Sequence, residues 1–434
     1  MNQRKTLKIN DLGQLEIGGM TAKSIAETCG TPVYVMDVKH IENMCKVFEQ
    51  TLAREYGEGM VCYASKAFSC KAIYKLINKF NLGADAVSGG ELYTALKAGF
   101  PFEKICFHGN NKLYDEIDFA ISNGVKHIVL DSENEVDLVD KIAKKYNKAQ
   151  DVLIRVNPGV EAHTHEFIQT AKVDSKFGFS IQSGEAEEII KYVKSKSNLN
   201  LNGLHCHIGS QIFEEQSFAI AVEKMTDFYK HLKDTLNIEF NVLNLGGGFG
   251  IWYADGDAKK TAKNYAKYIK NITNTLKKCI AEKSLKKPFL ILEPGRSIVG
   301  EAGVTLYTVG SIKKIKDVKN YISIDGGMFE NPRFALYNAK YTVVPADKMN
   351  QAPTTTYSIA GKCCESGDII ANDCLLPEMQ TGDLLAVLST GAYNYSMASN
   401  YNRNLIPPVV FVKNGKLKYA VKKQTYKDIT RNDL

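Results

Sequence analysis

From about residue 59 to 293 the chain repeats one pattern: a short run of β-branched or aromatic residues, a polar turn, then apolar positions at helical spacing. Eight such runs occur: MVCYAS (60–65), GADAV (83–87), KICFH (104–108), HIVLD (127–131), DVLIRVN (151–157), LNGLHCH (201–207), VLNL (242–245) and FLILE (289–293). Helical patterns such as CKAIYKLINKF (70–80), GELYTALKAGF (90–100), EVDLVDKIAKKY (135–146) and SFAIAVEKMTDFYKHLK (217–233) lie between them. This alternation predicts a parallel sheet covered by helices, and eight units close a barrel. TPVYVMD (31–37) would make a ninth strand and is assigned to a second domain. Beyond about residue 300 the helical period fades, and VTLYTVG, NYISID, AKYTVV, TYSIAG, DLLAVLS, PPVVFV and LKYAV read as an antiparallel β domain, a sandwich or barrel. The expected fold class is therefore α/β: a (β/α)8 barrel over residues 46–305 and an all-β domain formed by both termini, 1–45 and 306–434.

Composition narrows the class without changing this picture. At 434 residues the chain is too long for one ordinary core, and 44% hydrophobic, 10% aromatic and 24% charged residues exclude disordered, collagen-like and coiled-coil readings. No stretch has the unbroken apolar length of a membrane span, and MNQRKTLKIN carries no signal-like apolar segment, so a cytoplasmic protein without a membrane partner is expected. The net charge of +7 comes from basic residues interspersed with acids, which argues against nucleic acid as a partner. Ten cysteines show no C-x-x-C pair and no paired spacing of zinc ribbons or secreted disulfide frameworks; free thiols are the expectation.

In a parallel barrel, chemistry sits at the C-terminal ends of the strands, with phosphate commonly held after strands seven and eight. Strand seven runs into NLGGGFG (244–250) and strand eight into EPGR (293–296). Consecutive glycines let backbone N–H groups approach an anion, although a tight β-to-α turn is the better explanation of a GGG taken in isolation. A dinucleotide fingerprint fails because Ile251 stands where glycine is required, and no G-K-[ST] follows for a nucleotide P-loop. Strand one ends in YASKA (63–67), which places Lys66 at the barrel rim as either a solvated edge charge or an amine poised to form a Schiff base. HCHIGSQ (205–211) puts His205 and His207 on one strand face; with His163 and His165 they could be read as metal pairs, as core histidines, or as flat rings against a flat cofactor. GKCCESGD (361–368) and GAYNYSMASNYN (391–402) add adjacent thiols, two acids and three tyrosines.

Together YASKA, HIGSQ, GGGFG, EPGR, CESGD and GAY, in this order and over nearly the whole chain, resemble the fold-type III pyridoxal-phosphate decarboxylases of the alanine-racemase-like barrel family. The resemblance implies pyridoxal 5'-phosphate as cofactor, carried covalently by Lys66, with His207 stacked on its ring. Ser210, Gly246, Gly247, Gly248 and the backbone of Pro294, Gly295 and Arg296 would bind its phosphate, with Tyr393 touching phosphate and substrate. Glu293 would face the ring nitrogen; an acid there strengthens the ring as an electron sink and favours decarboxylation over racemisation. Cys364 would donate the proton that replaces carbon dioxide, reaching the site of the other subunit of a head-to-tail homodimer, with Cys363 structural. Glu365 would pair with a distal ammonium, and Arg296, Arg333 and Tyr337 with a distal carboxylate, which implies meso-2,6-diaminopimelate as substrate and L-lysine as product. Alternatives are a related decarboxylase of ornithine, arginine, lysine or a carboxylated polyamine, and a catalytically silent binding homologue; no metal is expected, a zinc hydrolase being the weakest reading.

Overall fold

The computed structural model describes residues 7–160, 176–254, 257 and 262–434, leaving aside the side chains of 262 and 263. The chain divides into two compact units, Met44–Gly250 with Lys260–Gly295, and Met1–Asn43 with Ile251–Lys259 and Arg296–Leu434. Relative to the expected limits, the β unit also takes in 296–305 and the short excursion 251–259, because Gly303–Ile315 is a strand of its sheet and Ile251 and Tyr253 pack in its core.

The first unit is a closed parallel barrel. Its strands are Gly59–Ala64, Gly83–Ala86, Ile105–Phe107, His127–Leu130, Gln150–Asn157, Leu199–His205, Val242–Asn244 and Phe289–Leu292, one for each run read from the sequence. Each pairs in parallel with the next, and Leu290 opposite Gly59 joins the eighth to the first. Closure buries both faces of most strands, which is why runs such as Ile105–Phe107 and His127–Leu130 do not alternate with exposed positions, whereas Leu199–His205 is buried only from Gly203 onward. The interior is filled by Met60, Cys62, Cys106, Val129, Leu153, Val242 and Ile291. The helices between strands have local stops: Gly89–Ala98 begins where Ser88 accepts a hydrogen bond from the Glu91 amide and ends at Gly99 with φ of 69°. Ser132 caps Glu133–Lys145 in the same way.

The second unit is β-rich and draws on both ends of the chain. Val33–Asp37 lies between Gly303–Ile315 and Val409–Lys413, which is flanked in turn by Lys416–Val421. On the other side follow Lys319–Ile324, Thr355–Ala360 and Ile369–Leu376, while Leu384–Leu388 branches from Gly303–Ile315 and carries Val343–Pro345. The expectation of an antiparallel sheet needs correction: Val33–Asp37 with Val409–Lys413, and Lys319–Ile324 with Thr355–Ala360, are parallel. Antiparallel order is what a tight hairpin imposes, and these partners are joined by long connections that impose nothing of the kind. Two apolar clusters fill the unit, one around Leu15, Ile17, Val33, Val35 and Leu306, the other around Tyr307, Ile322, Tyr357 and Ile359. All ten cysteines are free, and among the described residues no helix is long and apolar enough to cross a membrane.

Candidate active site

Lys66 sits in a single 3-10 turn, Ser65–Ala67, directly after the first barrel strand. Its Nζ is 2.6 Å from Oδ2 of Asp85, which is completely buried near the end of the second strand, whereas the lysine side chain keeps 41% of its surface exposed. Ser65 Oγ fixes the turn, its single proton set between the Asp85 carbonyl at 2.8 Å and Glu91 Oε2 at 2.7 Å. An amine on a stiff turn, one face on a buried carboxylate and the other open, is placed to meet a reactant from outside.

The glycine loop is a cradle built by exclusion. Gly246 and Gly248 have φ of 65° and 100°, where side chains are disfavoured. A Cβ on Gly247 would stand 2.1 Å from the Glu293 carbonyl oxygen, and one on Gly248 2.3 Å from that of Gly209. The Ser210 loop is stitched alongside, with the Ile212 amide donating to the Gly248 carbonyl and the Gly250 amide to the Ile212 carbonyl. Pro294 accepts from the Ala64 amide, so the segment through Gly295 is tied to the strand that carries Lys66.

His205 ends the sixth strand and His207 follows two residues later, and the two do different things. His207 is half-buried and its Nδ1 accepts from the Gly247 amide at 3.3 Å, so any proton it holds in the neutral state is on Nε2. Burial, with Arg155 and Lys66 near it, holds its pKa well below the ordinary histidine value, leaving a flat neutral ring beside the cradle. His205 instead faces Glu293, Nε2 to Oε2 at 3.4 Å, and burial pushes its pKa down to about 3. Glu293 Oε1 accepts from Asn244 Nδ2 at 2.6 Å and from His108 Nε2 at 2.8 Å. Burial would raise the carboxyl, but His108 and His205 outweigh it and hold it well below the usual range. Donor atoms of His108, His205 and Glu293 lie within 4.8 Å of one another, near enough to share a divalent cation; the hydrogen bonds among them account for the same cluster. His163 and His165 lie outside the described residues.

The β unit assembles a second group. Arg296 begins the helix Arg296–Val299 and Arg333 begins Arg333–Tyr337; each is only 8% exposed. Arg296 Nη1 donates to the Tyr253 hydroxyl at 2.5 Å, and the Arg333 guanidinium lies 4.9 Å from the centre of the same ring. Tyr393 packs 4.6 Å from the Arg296 guanidinium and holds φ at 61°, a left-handed conformation that a bulky residue adopts only when its surroundings impose it. The phenol that Arg333 donates to is Tyr341, at 2.7 Å. Tyr337 is half-buried at the end of its short helix, and among the described residues the hydrogen bonds and ring contacts of Arg296 and Arg333 go to Tyr253, Tyr341 and Tyr393 instead. Cys364 and Glu365 are exposed, the Cys364 amide donating to Asn402 Oδ1. Asp368, 3% exposed, accepts from the Met328 and Cys363 amides and so ties their loop to the segment leading to Arg333. Cys363 is half-buried, and burial beside Asp368 pushes its thiol up to about 11.

Sequence reading missed Asp85, His108, Asn244, Tyr253 and Tyr341. The first three lie at or near the C-terminal ends of barrel strands, a positional signal that was available; the two tyrosines had none.

Residues 38–300 match the family model described as pyridoxal-dependent decarboxylase, pyridoxal binding domain. The chain belongs to this family. Diaminopimelate decarboxylase of Bacillus subtilis is 47% identical over 429 residues, 99% of this chain and 97% of that one. The enzyme of that name from Halalkalibacterium halodurans is 46% identical over 429 residues, with the same coverage of 99% and 97%. Among solved structures, diaminopimelate decarboxylase from M. jannaschii matches with a TM-score of 0.89 at 35% identity, covering 100% of this chain and 99% of that one. The Helicobacter pylori enzyme, complexed with L-lysine, matches with a TM-score of 0.84 at 30% identity, covering 94% and 98%. The residues of this pyridoxal-dependent decarboxylase fit its cofactor: a partly exposed amine held by a buried carboxylate, a cradle that any Cβ would fill, a flat neutral ring, and a buried carboxylate kept ionised.

Proposed function

We propose that this chain decarboxylates meso-2,6-diaminopimelate to L-lysine, acting as a cytoplasmic homodimer. The bond from the α-carbon to its carboxylate breaks, carbon dioxide leaves, and one proton takes its place on that carbon. Bound pyridoxal phosphate supplies the electron sink that makes such a cleavage accessible. The rest falls to the chain's own side chains. Lys66 is the covalent anchor, and Asp85 orients its amine. Ser210, Gly248, Gly295 and the Arg296 amide offer backbone and hydroxyl donors to phosphate, Gly246, Gly247 and Pro294 shape the loops around it, and His207 offers a neutral ring face. Glu293, ionised inside an apolar barrel, is suited to keep a proton on a heteroaromatic nitrogen that faces it. Cys364 is assigned the replacement proton. Its exposure, like that of Glu365, supports service to the site of a second subunit.

The observation that carries the substrate assignment is the meeting of two buried guanidinium groups on Tyr253. A substrate ending in an ammonium alone gives such groups nothing to bind, whereas a distal carboxylate matches their forked donors. Tyr337 and Tyr393 are assigned to the same end group, with Glu365 on its ammonium. The test is to reconstitute the purified protein with pyridoxal phosphate, reduce with borohydride and map the modified peptide, then follow lysine formation from diaminopimelate by amino-acid analysis. Label on Lys66 and one lysine per carbon dioxide are the expected results; label elsewhere or no lysine overturns the proposal.

A further inference from the structure

Two buried carboxylates near the C-terminal ends of the barrel strands have one imidazole between them. Asp85 lies in the second strand, Glu293 follows the eighth, and His108 follows the third; none is more than 5% exposed. His108 Nε2 is 2.8 Å from Glu293 Oε1 and 3.9 Å from Asp85 Oδ1. An ionised carboxylate can only accept, so the proton in the short contact belongs to His108 Nε2. On its far side Asp85 accepts from Lys66 through Oδ2, while Oδ1 has no hydrogen-bond partner among the described residues. Amine, carboxylate, imidazole and carboxylate thus alternate from Lys66 to Glu293.

Resting on the reading that Glu293 serves the cofactor's ring nitrogen, we propose that His108 is a positioning residue for the reaction, fixing Glu293 as the proton acceptor of the site while standing beside Asp85, the partner of the Lys66 amine. Geometry gives three supports. Oε1 of Glu293 takes two short donors, Asn244 and His108, whereas Oε2 has, among the described residues, the 3.4 Å contact with His205, so the two oxygens are not interchangeable and a turn of the carboxylate would break both short bonds. His205 cannot substitute: its ring meets that of His108 edge-on at 4.7 Å, its Nδ1 has no hydrogen-bond partner among the described residues, and burial keeps it neutral. His108 alone among the site's histidines has carboxylates from two strands on one nitrogen. The groups facing it are Asp85 from the second strand, Glu293 from the eighth and His205 from the sixth, with His127 of the fourth strand nearby.

The test compares holoenzymes carrying His108→Phe, His108→Gln and Glu293→Gln with the wild type. Readouts are the visible spectrum of the bound cofactor against pH, the affinity of each apoenzyme for pyridoxal phosphate, and kcat and KM for diaminopimelate, with circular dichroism as a check on folding. For His108→Phe, kcat should fall by about 10- to 100-fold, the loss expected when a buried charged acceptor loses a donor, with KM changed by less than about threefold. The pH midpoint of its absorption bands should move by at least about half a unit. His108→Gln, whose amide can still donate, should recover most of kcat. An unmoved midpoint with near wild-type kcat overturns the proposal, as does equal damage in both His108 variants that tracks loss of folded protein. If Glu293→Gln is itself silent in spectrum and kcat, the reading of Glu293 fails first and takes this inference with it; if only the His108 variants are silent, Glu293 keeps its role and His108 loses the one proposed.

Discussion

Replacing Glu330 with glutamine should erase a pH dependence of stability that the wild type carries. Glu330 is fully buried in the β unit, and among the described residues no cation pairs with it. Its Oε1 accepts from the Tyr307 hydroxyl at 2.5 Å and the Gly327 amide at 3.3 Å, while Oε2 has no hydrogen-bond partner among the described residues. Burial outweighs those donors and raises the carboxyl to about 8, against about 4.3 in an unfolded chain. The folded state therefore holds a proton that the unfolded state has lost. Its stabilising effect is complete below about pH 4 and drains away as pH rises towards 8. Between about pH 5.5 and 8 the wild type should lose stability relative to Glu330→Gln by about 2.2 units at roughly 1.4 kcal/mol each, the slope flattening near pH 8 where the folded carboxyl is half ionised, or about 3 kcal/mol. Glutamine mimics the protonated acid in shape, at the cost of one amide N–H set where Oε2 now stands, about 1 kcal/mol at every pH. Thermal melts at both pH values read the difference. For a unit of roughly 200 residues, about 3 kcal/mol corresponds to roughly 6–12 °C in relative Tm. A gap between variant and wild type that is the same at both values would mean that Glu330 does not change its protonation on folding, and the burial argument would be wrong.

Other consequences can be measured alongside. Gly247→Ala places a methyl against the Glu293 carbonyl, so its affinity for pyridoxal phosphate in a spectral titration should drop by at least about tenfold while circular dichroism stays native; unchanged affinity would remove the cradle argument. Arg333→Ala should lower kcat/KM for diaminopimelate by about thirty-fold or more, the cost of losing one side of a desolvated charged contact, without a comparable loss towards lysine; equal losses would assign Arg333 to the fold. Homodimers of Lys66→Ala and of Cys364→Ala should each be nearly inactive, and subunit exchange between them should restore activity from the one intact site of each heterodimer. Exchange seen by mass spectrometry without recovered activity would place each site within one chain.

The barrel was legible because short, largely apolar runs recur between helical-period segments, and each of the eight runs became a strand. Ile369–Leu376 was not read: Asn372, Asp373 and Cys374 interrupt its apolar residues, and Asp373 takes a left-handed φ of 53° within it. Lys66, the glycine loop and Glu293 were legible because each sits in a short run of unusual residues at a strand end. Asp85 and His108 sit there too but stand singly, and only barrel closure brings the second, third, sixth and eighth strands to one point. Tyr341 shows a different limit. Helical spacing points to Tyr337, four residues on in the same turn, but the helix Arg333–Tyr337 ends at Asn338 with φ of 50°, and the chain reversal beyond it brings Tyr341 to the guanidinium.

The central claim is that two arginines select a substrate with a carboxylate at its far end while Lys66 and Glu293 serve the decarboxylation. Its most direct test is carbon dioxide release by the purified, pyridoxal-phosphate-loaded protein from diaminopimelate, lysine, ornithine and arginine, assayed side by side for kcat/KM. Diaminopimelate should exceed each of the others by at least about a hundredfold, the discrimination expected when a site built to bind a polar group meets substrates that lack it. Comparable or faster release from ornithine, arginine or lysine would contradict the account.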